Sequence, residues 1–290
     1  MSSEIDGYKV NDETEWSPAL ITTPPLFSWP LRPFLILKYV FGYPGYFLPR
    51  NICYMALALV TWFFLTPNLE SMQTFNIEWV STIYFRNLAL MFLVFGGWHF
   101  RFYILKAQGK KFSFNKRPPQ AKHRRFLFGD QVYDNMLYSV LSGCTIWTTY
   151  EVITMWAFAN NLIPFLDWNT SPVWFIILFL VIPLFRDAHF YVVHRILHIR
   201  FLYKHVHALH HKNVDIGPWS GLAMHPFEHL LYFSGILIHW LVLSHPIHAI
   251  LHVQATGLTP ALGHLRFDKY LLAGKKNLNL RATLFSLLTP

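Results

Sequence analysis

Histidines at helical spacing are the residues of this sequence that could carry chemistry. The chain has 290 residues with 16 histidines against 15 Asp and Glu together, and 14 of the histidines lie between positions 189 and 264. Residues at i and i+4 share one face of a helix, so two histidines with that spacing can direct their rings at one point. The histidines with this spacing are His194 with His198, and His207 with His211, and His210 lies beside the second pair.

Imidazole favours iron, zinc and copper over magnesium and calcium. Carboxylates are scarce from position 187 onward, where Asp187, Asp215, Glu228 and Asp268 are the only four. The segment therefore predicts a metal site made almost wholly of imidazole. A metal-bound imidazole needs a hydrogen-bond partner for its second nitrogen, and Asp187 and Glu228 are the nearest acidic candidates.

The other histidines divide into two groups. His225 and His229, in the run HPFEH, are candidates for an additional ligand or for support of the ligands. The remaining eight are expected to be hydrogen-bonded structural residues or residues that reach toward lipid headgroups. These eight are His99, His123, His189, His205, His239, His245, His248 and His252.

The composition predicts that these histidines are held in a membrane. Hydrophobic residues make up 53% of the chain and charged residues 13%, with a mean hydropathy of +0.30. A soluble domain has about 25% charged residues, so the values argue against a soluble enzyme and against disorder. The net charge is +9, but the chain has too few Lys and Arg to form a phosphate-binding stripe, so no nucleic-acid partner is expected. Cys53 and Cys144 lie in separate apolar runs and exclude a disulfide scaffold.

We predict an all-α fold, a multi-pass membrane helical bundle with a cytoplasm-facing, histidine-rich metal site. A membrane-spanning helix needs about 20 mostly apolar residues. Four regions are read as passes, and the fourth could continue as a helix into the histidine-rich segment. Two later apolar regions either span or re-enter. The four passes are 51–66, 79–100, 136–158 and 172–185, and the later regions are 230–243 and 246–262.

Three regions follow from this reading: a polar acidic tail at 1–30, a transmembrane region at 31–170, and a histidine-box domain at 171–290. Six prolines mixed with aromatics between 24 and 50 predict an interfacial segment rather than a regular helix.

Basic loops stay on the cytoplasmic side of a membrane. Residues 101–125 contain nine Lys and Arg and no acid, and residues 186–212 add five more, beginning with Arg186. Two passes separate the basic segments, so both are expected on the cytoplasmic side.

The histidine-rich segment resembles the membrane fatty acid hydroxylase and sterol desaturase superfamily. The resemblance covers roughly residues 177–288. Its elements are a first box at Asp187, Phe190, Tyr191 and His194 to His198, a second box at His207 to His211, an HPxE-like stretch at His225 to Glu228, and a later Gly263-His264. The resemblance adds His264 to the metal ligands, giving His194, His198, His207, His210, His211 and His264.

This resemblance implies a membrane-bound di-iron, non-haem oxygenase that uses O2 to hydroxylate or desaturate a lipid, a sterol or a fatty acyl chain. It implies two irons, with electrons from NAD(P)H passed through a b-type cytochrome and its reductase. It also implies the endoplasmic reticulum in a eukaryote or the inner membrane in a bacterium. Neutral imidazoles suit such a site because they bring no net negative charge into the bilayer.

The family's last HxxHH box would fall at Ser286, Thr289 and Pro290, which offer no imidazole. The six matched histidines could hold one metal fully and leave a second iron short of ligands. Either the sequence is a truncated or alternatively spliced product, or it is an inactive member of the superfamily. In both cases we expect the chain as written to be a weak or inactive oxygenase.

Two alternatives compete with the oxygenase. One is a catalytically impaired or inactive metal-binding homologue, or a metal transporter, although a transporter would carry ionisable residues along a path across the bilayer. The other is a bis-histidine haem protein, for which the HxxHH spacing is too tight.

The predicted topology can be tested by labelling. Single cysteines at Lys111 and Lys212 should react with a membrane-impermeant thiol reagent from the same, cytoplasmic side, because both lie in basic segments. Labelling from opposite sides would reject the topology.

Overall fold

The computed structural model describes residues 29–43, 45–109 and 117–267, together with Pro25, Ser113 and five short strands near the chain ends. The described part between positions 29 and 267 is helical, which confirms the predicted all-α fold. The strands are β1 (Glu4–Ile5), β2 (Tyr8–Asn11), β3 (Glu15–Trp16), β4 (Tyr270–Leu271) and β5 (Asn277–Leu278), with β1–β2–β3 and β4–β5 paired antiparallel.

The described α-helices follow one another with short connections, several of them single π or 3₁₀ turns. They are α1 (Pro33–Phe41), α2 (Ile52–Phe64), α3 (Ile77–Met91), α4 (Gly97–His99), α5 (Gln131–Tyr138), α6 (Thr145–Ala159), α7 (Pro172–Leu197), α8 (Arg200–Leu202), α9 (Ala208–His211), α10 (Pro226–Phe233) and α11 (Pro246–Gly263). The π turns are Phe47–Asn51, Phe92–Gly96, Phe100–Ile104, Ser139–Cys144 and Tyr203–His207, and the 3₁₀ turns are Leu69–Met72, Leu127–Gly129, Pro218–Leu222 and Ser234–Trp240.

Three helices in the described part are long and apolar enough to cross a membrane: Phe47–Phe64, Ile77–Ile104 and Pro172–Leu197. They correspond to the first, second and fourth predicted passes. The fourth continues as one helix into the first histidine pair, as the sequence suggested. A helix that is long and apolar enough to span a membrane therefore leads directly into the first histidine pair.

The third predicted pass, 136–158, differs from the other three. It lies in an unbroken helical run through α5, the π turn Ser139–Cys144 and α6, but it is not among the three apolar spans. Most of α6 is buried, including Glu151 and Thr154, because α3, α10 and α11 pack around it. Its polar side chains are tolerated because protein, and not lipid, surrounds them.

The predicted interfacial segment contains a regular element after all. Helix α1 begins with Pro33 in its first turn, where the missing N–H removes no helical hydrogen bond. It buries no residue, and Phe34 and Leu37 are among its exposed apolar side chains. The proline-rich composition therefore did not prevent a nine-residue helix.

The two basic segments meet on one side of the molecule. The Gln120 amide nitrogen lies 2.7 Å from an Asp215 carboxylate oxygen, and Gln131 donates to the Asn213 side chain at 3.0 Å. Lys212 pairs with Asp134 at 2.6 Å. These contacts place the ends of the two basic segments close together, and the side of the membrane on which they lie stays a prediction.

Helix α11 lies at the centre of the bundle, with nearly every residue buried against α2, α6 and α7. The Gln254 amide on this helix donates to Thr61 of α2 at 2.8 Å. One hydrophobic core joins the predicted 31–170 and 171–290 regions, with Met55, Trp147 and Ile250 among its members. The domain boundaries themselves stay a prediction.

A buried ion pair joins α3 to α6. Arg86 contacts Glu151, and the Asn87 amide donates to the second Glu151 oxygen at 2.9 Å. Both charged side chains are almost fully buried, at 6% and 0% exposure. Such a pair contributes more to the pairing of specific helices than to net stability, because desolvation offsets the attraction.

Removing one partner of this pair should be costly. We expect Glu151→Leu to destabilise the protein in detergent by about 3–5 kcal/mol, since it leaves the Arg86 charge buried and unpaired. The double variant Arg86→Leu, Glu151→Leu should recover most of that loss. Chemical denaturation of the wild type, both single variants and the double variant measures the cycle, and additive losses would contradict the pairing.

Candidate metal centre and cavity

The first histidine pair lies where α7 ends. His194 occupies the last full turn and His198 follows the helix, and the Nε2 atoms of the two rings are 3.1 Å apart. The second pair begins at His207, the final residue of a π turn, and ends at His211, the final residue of α9. The Nε2 atoms of His207 and His211 are 3.0 Å apart. Each predicted i, i+4 pair therefore forms as a local helical feature.

The two pairs converge on each other. The ring centroids of His194 and His207 are 4.9 Å apart, and those of His198 and His211 are 5.2 Å apart. One nitrogen from each of the four rings lies within 4.8 Å of the others. This is a donor set that one transition-metal ion could draw together with small side-chain shifts.

The other two predicted ligands, His210 and His264, form a neighbouring pair with ring centroids 5.1 Å apart. His210 is linked to the four-ring group through His207, at a centroid distance of 5.6 Å. Its Nδ1 also lies 3.4 Å from the Ala223 carbonyl, and His264 Nδ1 lies 3.1 Å from the Pro260 carbonyl. The structure thus assembles four of the six rings and places two beside them.

Burial keeps these rings neutral. Desolvation lowers the pKa of His207 to about 4, and desolvation together with the neighbouring rings lowers the pKa of His211 to about 4. The pKa values of His198 and His210 are also lowered, again first by desolvation. A neutral imidazole has a free nitrogen lone pair, which is what a metal ligand requires.

Glu228 is the acidic residue that supports a ring. Its Oε1 lies 2.8 Å from His207 Nδ1, so Nε2 of that ring is left for the metal. Its Oε2 is buried and has no hydrogen-bond partner in the described part of the chain. Desolvation raises the pKa of Glu228 to about 9, and the positive charge of a bound metal would oppose that shift.

Asp187 contacts other groups. Its carboxylate accepts a hydrogen bond from Arg186 at 2.6 Å and another from the Tyr46 hydroxyl at 2.9 Å. Asp187 lies before His194 on α7. His225 and His229 have local roles. His225 caps the start of α10, because its Nδ1 accepts a hydrogen bond from the Phe227 N–H. His229 forms hydrogen bonds with the Ser142 hydroxyl and the Leu222 carbonyl.

Most histidines expected to be structural are hydrogen-bonded away from the centre. His248 bonds to the Phe175 carbonyl, His205 to the Phe201 carbonyl, and His239 to the Ser244 hydroxyl. His189 differs, because it also lines the cavity described next.

A cavity of about 330 Å³ lies between α7, α10 and α11, and its lining includes His194, His207, His210, His211 and His264. Apolar side chains of Phe190, Val193, Leu197 and Met224 line its walls. Arg186, Asp187, Tyr232 and Thr259 are polar residues of the same lining. Both apolar and polar side chains therefore line the cavity.

Gly221, one of the residues that line this cavity, lies very close to the backbone of α11. A Cβ atom at this position would lie 2.3 Å from the carbonyl oxygen of Pro260, which belongs to the backbone of α11. Only glycine allows the turn Pro218–Leu222 to approach α11 so closely. The turn and the helix are therefore fixed against each other beside His264.

Sequence reasoning missed part of the polar lining of the cavity. It used Arg186 only as one of the positive charges that indicate the cytoplasmic side of a membrane. In the structure this side chain is buried on α7, where it pairs with Asp187. The adjacent acid in an otherwise apolar helix was the available signal, because a buried charge needs a partner. The positions predicted to have lost the last histidine box, Ser286, Thr289 and Pro290, lie outside the described residues.

Comparison with known proteins shows what the histidine-rich segment is similar to. Residues 179–283 match the fatty acid hydroxylase family. An Arabidopsis thaliana protein named for Delta(7)-sterol-C5(6) desaturation is 41% identical over 84 residues, 28% of each chain. Methylsterol monooxygenase 1 of Gallus gallus is 31% identical over 74 residues, 25% of each chain.

A Delta(7)-sterol 5(6)-desaturase of Aspergillus fumigatus is 34% identical over 55 residues, 19% of this chain and 17% of the relative. Each of these three alignments thus spans less than a third of the relative's length. No solved structure matches the chain. The resemblance to the fatty acid hydroxylase and sterol desaturase superfamily is confirmed for the histidine-rich segment.

The support given by Glu228 can be tested by its neutral isostere. Glu228→Gln keeps the shape and an acceptor oxygen but cannot ionise, so metal affinity should fall about 10- to 100-fold. Metal titration of the purified variant measures this, with His205→Asn as the matched control on an exposed ring of the same segment. Equal losses in both variants would contradict the role of Glu228.

The pKa shifts also predict a bell-shaped stability profile for the metal-free protein. In the unfolded chain the histidines become protonated below about pH 6.5, whereas in the folded protein His207 and His211 become protonated only near pH 4. The stability of the folded protein therefore decreases as the pH falls through this range. In the unfolded chain Glu228 loses its proton above pH 4.5, the ordinary pKa of its carboxyl group, whereas in the folded protein it keeps the proton until about pH 9. The contribution of Glu228 to the free energy of unfolding therefore decreases as the pH rises through this range. The opposing trends place the maximum near pH 6.5.

Thermal unfolding across this range measures the profile. Glu228→Gln should flatten the alkaline decline and leave the acid decline intact. An unchanged alkaline decline in the variant would show that another group causes it.

Proposed function

We propose that the protein is a membrane-bound, non-haem iron oxidoreductase that uses O2 to hydroxylate or desaturate a lipid, since residues 179–283 match the fatty acid hydroxylase family. The observation that carries the proposal is the convergence of four imidazoles, three of which also line a cavity together with apolar side chains. Three apolar helices and relatives named for sterol oxidation support a lipid substrate reached within a membrane.

Iron fits the donor set of this site. Four neutral imidazoles suit a borderline metal such as iron, and Glu228 offers the carboxylate that commonly orients a metal-bound histidine. His194, His198, His207 and His211 would hold the ion, with His210 and His264 available for a second position. Bound iron would supply the O2-dependent redox chemistry that amino-acid side chains lack.

The chain's own residues prepare the site for this chemistry. Phe190, Val193 and Met224 would contact the lipid chain and exclude water from the histidines that line the cavity. Glu228 would fix the His207 ring by accepting from Nδ1. We further propose that electrons come from NAD(P)H through a b-type cytochrome and its reductase at the face where the basic segments meet. The membrane would be the endoplasmic reticulum in a eukaryote or the inner membrane in a bacterium.

A second candidate is a metal-binding membrane homologue without redox turnover. The observation that favours it is the ligand count. Only four rings share a common centre among the described residues, and the neighbouring pair alone is too few to hold a second iron. Under this candidate the protein would retain metal and lipid but form no oxidised product.

Expression in a host that lacks its own sterol desaturase or fatty acid hydroxylase separates the two candidates. We expect bound iron by metal analysis and a lipid product by mass spectrometry, at low turnover because of the ligand count. His207→Asn should abolish both readouts, since it removes a ligand and the partner of Glu228.

The exposed control His205→Asn should retain both readouts. Iron retention with no product would favour the second candidate. A protein that holds no iron would overturn the first candidate, and a protein that holds no metal at all would overturn both.

A further inference from the structure

Three histidines and two serines form a chain of polar contacts that leads from the cavity into the bundle. His189, on α7, lines the cavity, and its Nε2 lies 3.1 Å from the Ser234 hydroxyl. His252, on α11, directs its Nδ1 at Nε2 of His239, 3.3 Å away. Nδ1 of His239 lies 3.0 Å from the Ser244 hydroxyl. None of these five residues is among the converging rings, so the metal centre does not account for them.

Gly235 lies where this chain is interrupted, between His189 and His252. A Cβ atom on this residue would lie 3.0 Å from Nδ1 of His189 and 3.0 Å from Nε2 of His252. The two nitrogens thus face the same point, and they are at most twice that distance apart. A water molecule or a small movement of one ring can bridge such a gap.

The hydroxyl of Ser234 fixes the direction of the chain at the cavity. It donates to the Leu231 carbonyl at 2.8 Å, so it accepts from Nε2–H of His189. A neutral imidazole carries one N–H, and Nδ1 of His189 is therefore a lone pair. This lone pair faces the gap beside Gly235. The ring on the other side of the gap must present a donor to satisfy it.

The rest of the chain meets that requirement in one arrangement. When His252 presents Nε2–H to the gap, its Nδ1 accepts from Nε2–H of His239, and Nδ1 of His239 accepts from Ser244. The reverse arrangement would turn a lone pair of His252 toward the lone pair of His189. The hydrogen atoms therefore point from Ser244 toward the cavity, and a proton that enters at Ser244 can pass from ring to ring.

Ser244 lies toward the opposite end of α7 from the metal centre. Trp174, in the first turn of α7, donates to the carbonyl of Leu243 at 2.9 Å, whereas His194 lies in the last turn. The Ser244 side chain is buried, but the neighbouring Leu243 is exposed. The chain thus joins the cavity to a point close to the protein surface near the start of α7.

We propose that Ser244, His239, His252 and His189 form a proton relay that carries protons into the cavity from the end of the bundle where α7 begins. Each ring accepts a proton on one nitrogen and releases the proton of the other, so no heavy atom has to travel. His189 is the ring that holds the arriving proton at the wall of the cavity.

The relay has a use in the proposed reaction. Hydroxylation converts RH, O2, two electrons and two protons to ROH and H2O, and desaturation consumes the same number of protons and electrons and releases two H2O. The inference rests on the proposed function only for this use of the protons. The relay itself is a property of the four side chains and can be tested without metal or turnover.

Exchange of the ring protons with solvent is the test. The full-length protein, labelled with nitrogen-15 histidine in lipid bilayers, is transferred to D2O and followed by solid-state NMR. His248 is the internal control, because it is also buried on α11 but donates to the Phe175 carbonyl, outside the chain. We expect the N–H groups of His239 and His252 to exchange at least about 100-fold faster than that of His248. The nitrogen shifts should show His189, His239 and His252 with the proton on Nε2.

Two substitutions close the ends of the relay. Gly235→Ala places a methyl group between His189 and His252, and Ser244→Ala removes the hydroxyl at the other end. Each substitution alone leaves one entrance open, so exchange at His252 should slow by about threefold or less. The double variant should slow it to within about tenfold of His248.

The matched control is the double variant Gly97→Ala, Ser71→Ala, which changes a glycine with open space around it and an exposed serine. It should exchange as the wild type does. Wild-type rates at His239 and His252 as slow as that of His248 would overturn the proposal, because the chain would then be a static network.

Fast exchange in the Gly235→Ala, Ser244→Ala double variant would also overturn the proposal. Full slowing in Gly235→Ala alone would overturn it as well, since no proton would then enter at Ser244. If the double variant does not fold, the wild-type comparison with His248 decides. A protein that forms no oxidised product and shows the expected exchange keeps the relay and loses only the proposed reaction.

Discussion

A neutral imidazole can bind a metal in an apolar interior, and a protonated one cannot; the arrangement of this protein depends on that difference. Burial lowers the pKa values of the converging rings, so their nitrogen lone pairs are free at neutral pH. The same burial disfavours a charged carboxylate, so the pKa of Glu228 is raised. The Glu228 carboxyl group is hydrogen-bonded to His207. The binding of a metal would therefore be coupled to the protonation of the rings and of this carboxyl group.

Polar groups inside the bundle pair in ways that specify which helices meet. Arg86 with Glu151 joins α3 to α6, and Arg186 with Asp187 and Tyr46 joins α7 to the segment before α2. Apolar surfaces alone would allow these helices to slide or rotate, since lipid is as apolar as leucine. The ion pairs fix the height of α7 in the bundle, and with it the level at which His194 faces the second pair.

The local parts of this arrangement could be predicted from the sequence, because helical period and histidine spacing are local properties. The i, i+4 pairs and the continuation of α7 into the first histidine box are of this kind. The polar lining of the cavity could not be predicted, because Arg186 meets Thr259 and Asp187 meets Tyr46 across 73 and 141 positions of the chain. The choice of Glu228 over Asp187 as the support for His207 depends in the same way on tertiary contacts.

The contact between Gly221 and the Pro260 carbonyl has a consequence for how mutational data on this protein are interpreted. Any side chain at position 221 would push the 3₁₀ turn away from α11 and disturb His264, so a library of substitutions should reject replacements there as firmly as at a ligand. Intolerance is therefore a poor indicator of chemistry near this centre. A position without a donor atom can be as restricted as an imidazole, because the path of the backbone, and not a functional group, is what selection preserves at that point.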